Sequence, residues 1–301
     1  MLRAGDGTAR ALRKHGRAVA NGTAALVLSA GLALSGAPLV NASHLQNGNG
    51  KYHHLSSALR KSKSLHAPSP PAFLQGKWAL KFDDEFDGSK INNKWSYCYA
   101  VDVCYASGKP GDFRQMGYSV PRNCSMQPHV LNLLVTKGDH AHKYFSCILQ
   151  THSHFNFTYG YVEARMWLPA STDSWPAFWM LNSTSKGRAP SEIDVMEDYG
   201  GTEKYQYFHY HYPRGRTELN LGSKVAVPGA TSGWHTYAVE WMPGSIKWYY
   251  DGRLVWHEDH NVYNHKMYLI LNLVLDSFKP DPSVPSTLRV NYVRVWQKDG
   301  M

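Results

Sequence analysis

Cysteine is scarce in this chain, four residues in 301, and no two are spaced Cys-x-x-C. That removes the ligand spacing of a zinc ribbon and of a thioredoxin-like redox centre. The apolar run at residues 24–34 is short of the roughly 20 residues that a membrane-spanning helix needs, and no twin-arginine pair precedes it. Beyond Lys77 no stretch repeats its apolar residues at the helical period. Net charge is also missing where it would matter. The chain carries +9 overall, but nine basic residues and a single acid, Asp6, precede Lys77. The 225 residues that follow hold 23 basic and 22 acidic side chains and all ten tryptophans. A nucleic-acid binder interleaves its cations with its aromatics; this chain separates them, and no nucleic-acid partner is expected. With 43% hydrophobic and 18% charged residues, a chain disordered throughout is excluded as well.

What is present falls into three parts. Residues 1–42 read as a signal peptide. Arg10, Arg13, Lys14 and Arg17 form the positive region, residues 24–34 the apolar one, and Val40-Asn41-Ala42 offers small residues at a cleavage site. A secreted protein is expected, and an uncleaved signal anchor is the one membrane attachment compatible with this reading. Residues 43–76 form a basic linker rich in Ser, Pro and His, too polar to offset their ordering entropy by burial. Residues 77–301 form the folded domain. In an exported chain its four cysteines favour two disulfides; of three connectivities we expect Cys98–Cys104 with Cys124–Cys147.

The domain reads as all-β. Period-2 segments recur at residues 129–136, 144–150, 161–168, 175–181, 205–212, 234–241, 245–250, 253–256, 267–274 and 288–296. Asp251-Gly252 between two of them is a hairpin signal, because both residues tolerate positive φ. So many short strands imply a sandwich. Trp175 and Trp179 share one face of their strand, as do His209 and His211, so aromatic and polar rings line a surface as well as a core. A concave sheet lined in this way suits flat sugar rings.

The chemistry is expected in Ser191-Glu-Ile-Asp-Val-Met-Glu197. In a regular strand Glu192 and Asp194 share a face and Glu197 points away. A β-bulge around Val195–Met196 would turn Glu197 back, so that three carboxyl groups line one surface of an otherwise apolar strand. Carboxylates this close cannot all ionise easily, and one should keep a proton near neutral pH. Glycoside hydrolysis needs that division of labour, with one carboxylate as nucleophile and one carboxylic acid for the leaving oxygen.

Several motifs in fixed order resemble glycoside hydrolase family 16: Trp78-Ala-Leu-Lys-Phe-Asp-Asp-Glu-Phe-Asp-Gly88, Tyr161-Val-Glu-Ala-Arg165, Trp175-Pro-Ala-Phe-Trp179, Glu192-Ile-Asp-Val-Met-Glu197, Gly233-Trp-His-Thr-Tyr-Ala-Val-Glu-Trp241, Trp248-Tyr-Tyr-Asp-Gly252 and Tyr292-Val-Arg-Val-Trp296. The resemblance covers nearly all of residues 77–301. It implies a β-jelly-roll sandwich of the concanavalin A-like lectin/glucanase type with a concave substrate cleft. It also implies retaining endo-hydrolysis of β-linked polysaccharide by a monomer, with Glu192 as nucleophile, Glu197 as acid/base and Asp194 between them. The E-x-D-x-x-E spacing matches the laminarinase, agarase and carrageenase branch. β-1,3- or mixed-linkage β-glucan is the leading substrate; a galactan hydrolase or transglycosylase on the same scaffold, and a non-catalytic lectin-like module, are the alternatives. Trp175 and Trp179 are candidates for sugar stacking, His211 for a contact near the acid/base, and Asn272 for a polar contact in the cleft. Glu163 and Arg165 read as an ion pair. No cofactor and no metal are expected: neither His209 with His211 nor His152 with His154 has a third ligand at recognisable spacing. The family's structural calcium uses an Asp at the position held here by Asn291.

Overall fold

Wherever aliphatic and aromatic residues recur at every second position, the chain forms a strand. Seventeen do so in the computed structural model, which describes residues 67–98, 105–106, 115–182, 191–200, 204–214, 217–276 and 283–301. They are β1 (Trp78–Asp84), β2 (Ser96–Tyr97), β3 (Tyr105–Ala106), β4 (Gln115–Ser119), β5 (Cys124–Gln127), β6 (Val130–Lys137), β7 (Tyr144–Gln150), β8 (Gly160–Trp167), β9 (Ser174–Asn182), β10 (Glu192–Glu197), β11 (Tyr205–Arg214), β12 (Thr217–Ala226), β13 (His235–Met242), β14 (Ser245–Tyr250), β15 (Arg253–Glu258), β16 (Met267–Asp276) and β17 (Ser286–Lys298). Among the described residues the helical content is a single 3₁₀ turn, Pro121–Asn123, and no helix is long and apolar enough to cross a membrane.

Two layers result. One sheet runs β15–β14–β13–β8–β17, with β1 and β6 sharing the far side of β17 and β5 beyond β6. The other runs β12–β11–β10–β9–β16, followed by β7, with β4 and β2 at its margin. Between them lies the core. Val162, Ala164 and Met166 of β8 face it from the first sheet, and Ile193, Val195 and Met196 of β10 from the second, all fully buried. This is the expected all-β jelly-roll sandwich. The Cys124–Cys147 disulfide is present and ties β5 to β7. Cys98 is also half of a disulfide, while its expected partner, Cys104, lies outside the described residues.

The β14–β15 hairpin turns at Asp251 (φ 48°) and Gly252 (φ 72°), as their sequence demands. One stretch departs from the sequence reading: residues 217–226, absent from the period-2 segments, form the ten-residue edge strand β12. Its outward residues are polar and its inward Leu219, Leu221 and Val225 are only half-buried, so an edge position weakens the alternation that reveals other strands.

Residues 1–66, which hold the expected signal peptide and most of the expected linker, lie outside the described residues. Packing begins before Lys77. Leu74 is buried with Tyr161, Ala238, Tyr249 and Trp296 on the outer face of the first sheet. Phe73 stacks on Tyr249 at 4.9 Å between ring centroids, and the Trp296 indole donates to the Pro68 carbonyl at 3.2 Å. A proline-rich segment loses little backbone freedom on docking, so two apolar side chains suffice to hold it.

Candidate active site

The acids sit on β10, a central strand between β9 and β11. Glu192 pairs with Leu181 and His211, and Asp194 with Trp179 and His209. The register then slips. On the β9 side Met196 meets Phe178 directly after the Asp194–Trp179 pair, so Val195 is the extra residue. This is the bulge expected from the odd spacing of the third acid. Ile193, Val195 and Met196 all turn into the core, leaving Glu192 half-buried and Asp194 and Glu197 buried. A bulge strands backbone groups that the ladder would otherwise pair. Here the carbonyl of Asp194 is taken up at 2.8 Å by the indole N–H of Trp248, a fully buried residue on β14 of the opposite sheet. Trp248 thus clamps the distortion that aligns the acids, a role that its hairpin motif did not reveal.

Both oxygens of Glu197 are engaged. Oε1 accepts from Trp175 Nε1 at 2.9 Å, and Oε2 lies 2.6 Å from His209 Nδ1. Trp175 is itself 9% exposed and packed edge-on against Tyr199 at 4.7 Å, so its placed role is to hold Glu197; the more open ring on that face is Trp179. Trp179 Nε1 donates to Asn272 Oδ1 at 2.7 Å. Asn272 is buried, opposite Ala177 in the β9–β16 ladder. His211, expected near the acid/base, instead places Nε2 3.3 Å from Asp194 Oδ2 and Nδ1 2.6 Å from Glu218 Oε1; His209 takes the Glu197 contact. The register explains the exchange: Glu192 lies opposite His211 and Asp194 opposite His209, and the bulge holds Glu197 opposite Tyr207, one residue nearer His209 than a regular ladder would place it. Ile148, Trp175, Tyr268, Ile270 and Val274, with Trp179, Leu181 and Tyr199 against them, form an apolar cluster separate from the main core. An aromatic wall therefore flanks the acids.

Crowding governs the charges. Burial, followed by the Asp194 charge, holds Glu192 well above the usual carboxylate range, with His211 pulling the other way. Burial and then Glu197 raise Asp194 in the same manner, against a hydrogen bond from Glu192 that lowers it. The carboxyl groups on the Glu192–Asp194 side therefore hold their protons to higher pH than isolated carboxylates. A stability prediction follows from the sign. A carboxyl group whose pKa is higher folded than unfolded favours the folded state below about pH 4 and destabilises it progressively as pH rises. Asp194→Asn should therefore melt several degrees above wild type at alkaline pH, with the gain shrinking on acidification. Calorimetric Tm values across that range check this, and an unchanged or lower Tm at alkaline pH contradicts it.

The structure does bring carboxylates to the two histidines: Glu192/Asp194/His211 and Asp194/Glu197/His209 each place three ligand-type atoms within 4.8 Å of one another, and they consist of these same acids and rings, in contact with one another. The calcium position has a different filling. Asn291 Oδ1 accepts from Arg165 Nη1 at 3.1 Å, and its Nδ2 donates to the His129 carbonyl at 2.9 Å. A neutral amide beside a guanidinium does not fit a divalent cation. The expected Glu163–Arg165 pair is accordingly replaced: Glu163 accepts from Tyr161 and Tyr292 hydroxyls at 2.9 and 2.7 Å, and Arg165 turns to Asn291 and lies over Trp234. Adding calcium or EDTA should leave Tm within a degree or so of the untreated protein; a calcium-dependent rise of several degrees would contradict this filling.

A jelly-roll sandwich that carries three convergent carboxyl groups beside an aromatic wall is the scaffold of a carbohydrate-active β-protein. Comparison with known proteins narrows the class. The profile of the glycosyl hydrolases family 16 matches residues 120–272, including all three acids. The chain is 31% identical over 242 residues to the endo-1,3-1,4-beta-glycanase ExsH of Rhizobium meliloti, covering 72% of this chain and 51% of that protein. It is 28% identical over 251 residues to the beta-glucanase of Rhodothermus marinus, covering 73% and 85%. Among solved structures the endo-beta-1,3-glucanase of Pyrococcus furiosus superimposes with a TM-score of 0.62 at 28% identity, over 73% of this chain and 94% of that one. The chain belongs to glycoside hydrolase family 16. It spans about half the length of ExsH and a third of a second Rhizobium meliloti relative, EglC.

Proposed function

We propose that the protein is an exported, retaining endo-β-glucanase that cleaves β-1,3- or mixed-linkage β-glucan as a monomer. The observation that carries this reading is the bulge in β10, which brings Glu192, Asp194 and Glu197 onto one face beside Trp179. The names of the relatives, glycanases and glucanases of β-1,3 and mixed linkage, support the substrate class.

In this mechanism Glu192 attacks the anomeric carbon, and Glu197 gives its proton to the departing glycosidic oxygen. Water then displaces Glu192 from the glycosyl-enzyme, losing its proton to Glu197. Glu192 attacks as the anion, so in the reacting state the proton of the crowded pair must sit on Asp194. Trp248 keeps the strand bulged. Trp179 stacks on a sugar ring, with its indole N–H fixed by Asn272. Reducing-end release from a panel of β-1,3-glucan, mixed-linkage glucan, agar and carrageenan tests the reading. Release from the β-glucans is expected. Release from the galactans alone would move the substrate class, and binding without release from any of them would mark a lectin.

A further inference from the structure

Glu197 is held by a residue whose position depends on a glycine two strands away from the acid. His209 faces Gly222 across the β11–β12 ladder. A Cβ at position 222 would come within 2.2 Å of His209 Cδ2 and 2.7 Å of its Nε2. The imidazole therefore lies directly over the β12 backbone, in space that exists because residue 222 has no side chain. From there Nδ1 reaches Glu197 Oε2 at 2.6 Å.

The other oxygen decides what this contact means. An indole N–H only donates, so Trp175 fixes Oε1 as an acceptor, and the acidic proton of Glu197 belongs on Oε2, the oxygen that His209 touches. A nitrogen and an oxygen 2.6 Å apart also need a hydrogen between them, since two facing lone pairs repel. We propose that His209 is a positioning residue that shares one proton with Glu197 and thereby keeps the acid/base loaded over a wider pH range than a carboxyl group alone would allow. This rests on the role given to Glu197 above. In the glycosylation step the shared proton passes to the departing oxygen, the Oε2–H bond breaks, and the carboxylate left behind accepts from Trp175 alone, with no hydrogen left between Oε2 and His209 Nδ1. In the second step the proton lost by water returns to Oε2. The pair neither gains nor loses a proton over the cycle.

The charged and titratable groups facing His209 come from three strands and a loop. Asp194 and, behind it, Glu192 face it from β10; Tyr199 follows β10 in the chain, with its ring 6.3 Å away. On β11, Tyr207 and His211 flank it, the latter with rings 5.9 Å apart and with Glu218 of β12 beyond. Lys224 of β12 lies over the Tyr207 ring at 5.6 Å. Glu197 is the group at hydrogen-bonding distance; the others set a background that the variants below leave in place.

Two measurements test the proposal. The first does not depend on turnover: nitrogen-15 NMR of the His209 ring, assigned by its loss in His209→Ala, followed across pH in wild type and Glu197→Gln. Sharing predicts a midpoint that moves by about one pH unit or more when the carboxyl group is removed; the same midpoint in both proteins overturns the proposal, whether or not glucan is cleaved. The second is the pH profile of kcat/KM on a glucan that wild type cleaves. His209→Ala, and Gly222→Ala with its displaced ring, should both move the alkaline limb to lower pH by about one unit or more at near-constant KM. Added imidazole should restore the limb in His209→Ala. A loss of rate at every pH with the limb unmoved, in a variant that still melts cooperatively, would show a merely structural role and overturn the proposal. Absence of any cleavage by wild type would instead count against the proposed function.

Discussion

Glu192→Ala should lose reducing-end release from β-glucan by about four orders of magnitude or more, the scale on which removal of a covalent nucleophile is felt. The fold should survive, because Glu192 is half-buried on the open face of β10 and the core beneath it is built by Ile193, Val195 and Met196. Removing a crowded carboxyl group should even raise the alkaline Tm, as for Asp194→Asn. The loss identifies a required group; chemistry identifies its role. In the cavity left by alanine, azide can attack the anomeric carbon in place of the carboxylate and yield a glycosyl azide of inverted configuration. Appearance of that product with an activated aryl glycoside marks Glu192 as the nucleophile. Full activity in Glu192→Ala, or rescue with retained configuration, contradicts the assignment.

Glu197→Ala should cost about 10²- to 10⁴-fold on glucan, the usual contribution of a general acid. The deficit should fall steeply on aryl glycosides whose leaving group departs without a proton. That dependence separates it from Glu192→Ala, where leaving-group quality cannot replace a missing nucleophile. Azide should now give the retained configuration, since Glu192 still forms the glycosyl-enzyme and only the second step lacks its base. Equal losses on both substrate types would place Glu197 outside proton transfer. The geometry supports the distinction: Oε1 is tied to Trp175 and Oε2 to His209, an arrangement that orients a proton and would be superfluous for a solvated surface acid.

The sandwich was legible because its central strands are short apolar segments, some alternating and some, such as β7 and β16, buried along their whole length: β7, β8, β9, β13, β14 and β16 lie within about two residues of their expected bounds. The bulge was legible too, because an acid at the wrong parity of an apolar strand has nowhere else to go. β12 was not, since an edge strand needs little inward apolar surface. Local pattern also stopped short of the partners. His209 and His211 share a face, and which of them meets Glu197 depends on how far the bulge slides β10 along β11. Trp175 and Trp179 likewise share a face, yet the nearness of Glu197 turns the first indole into a hydrogen-bond donor while leaving the second more open. Arg165 and Glu163 alternate as an ion pair would. The choice of Asn291 by Arg165, and of Tyr292 by Glu163 beside Tyr161 of its own strand, was set by β17, more than 120 residues away in the chain. Faces follow from neighbours in sequence; partners follow from register.

The central claim is that the bulged strand carries a covalent nucleophile at Glu192. Incubation with a 2-fluoro β-gluco-oligosaccharide bearing a good leaving group, followed by intact mass and peptide mapping, addresses it directly. A single glycosyl adduct on Glu192, absent from Glu192→Ala, is the predicted result. An adduct on any other residue, or hydrolysis with inversion of configuration and no adduct, would contradict it.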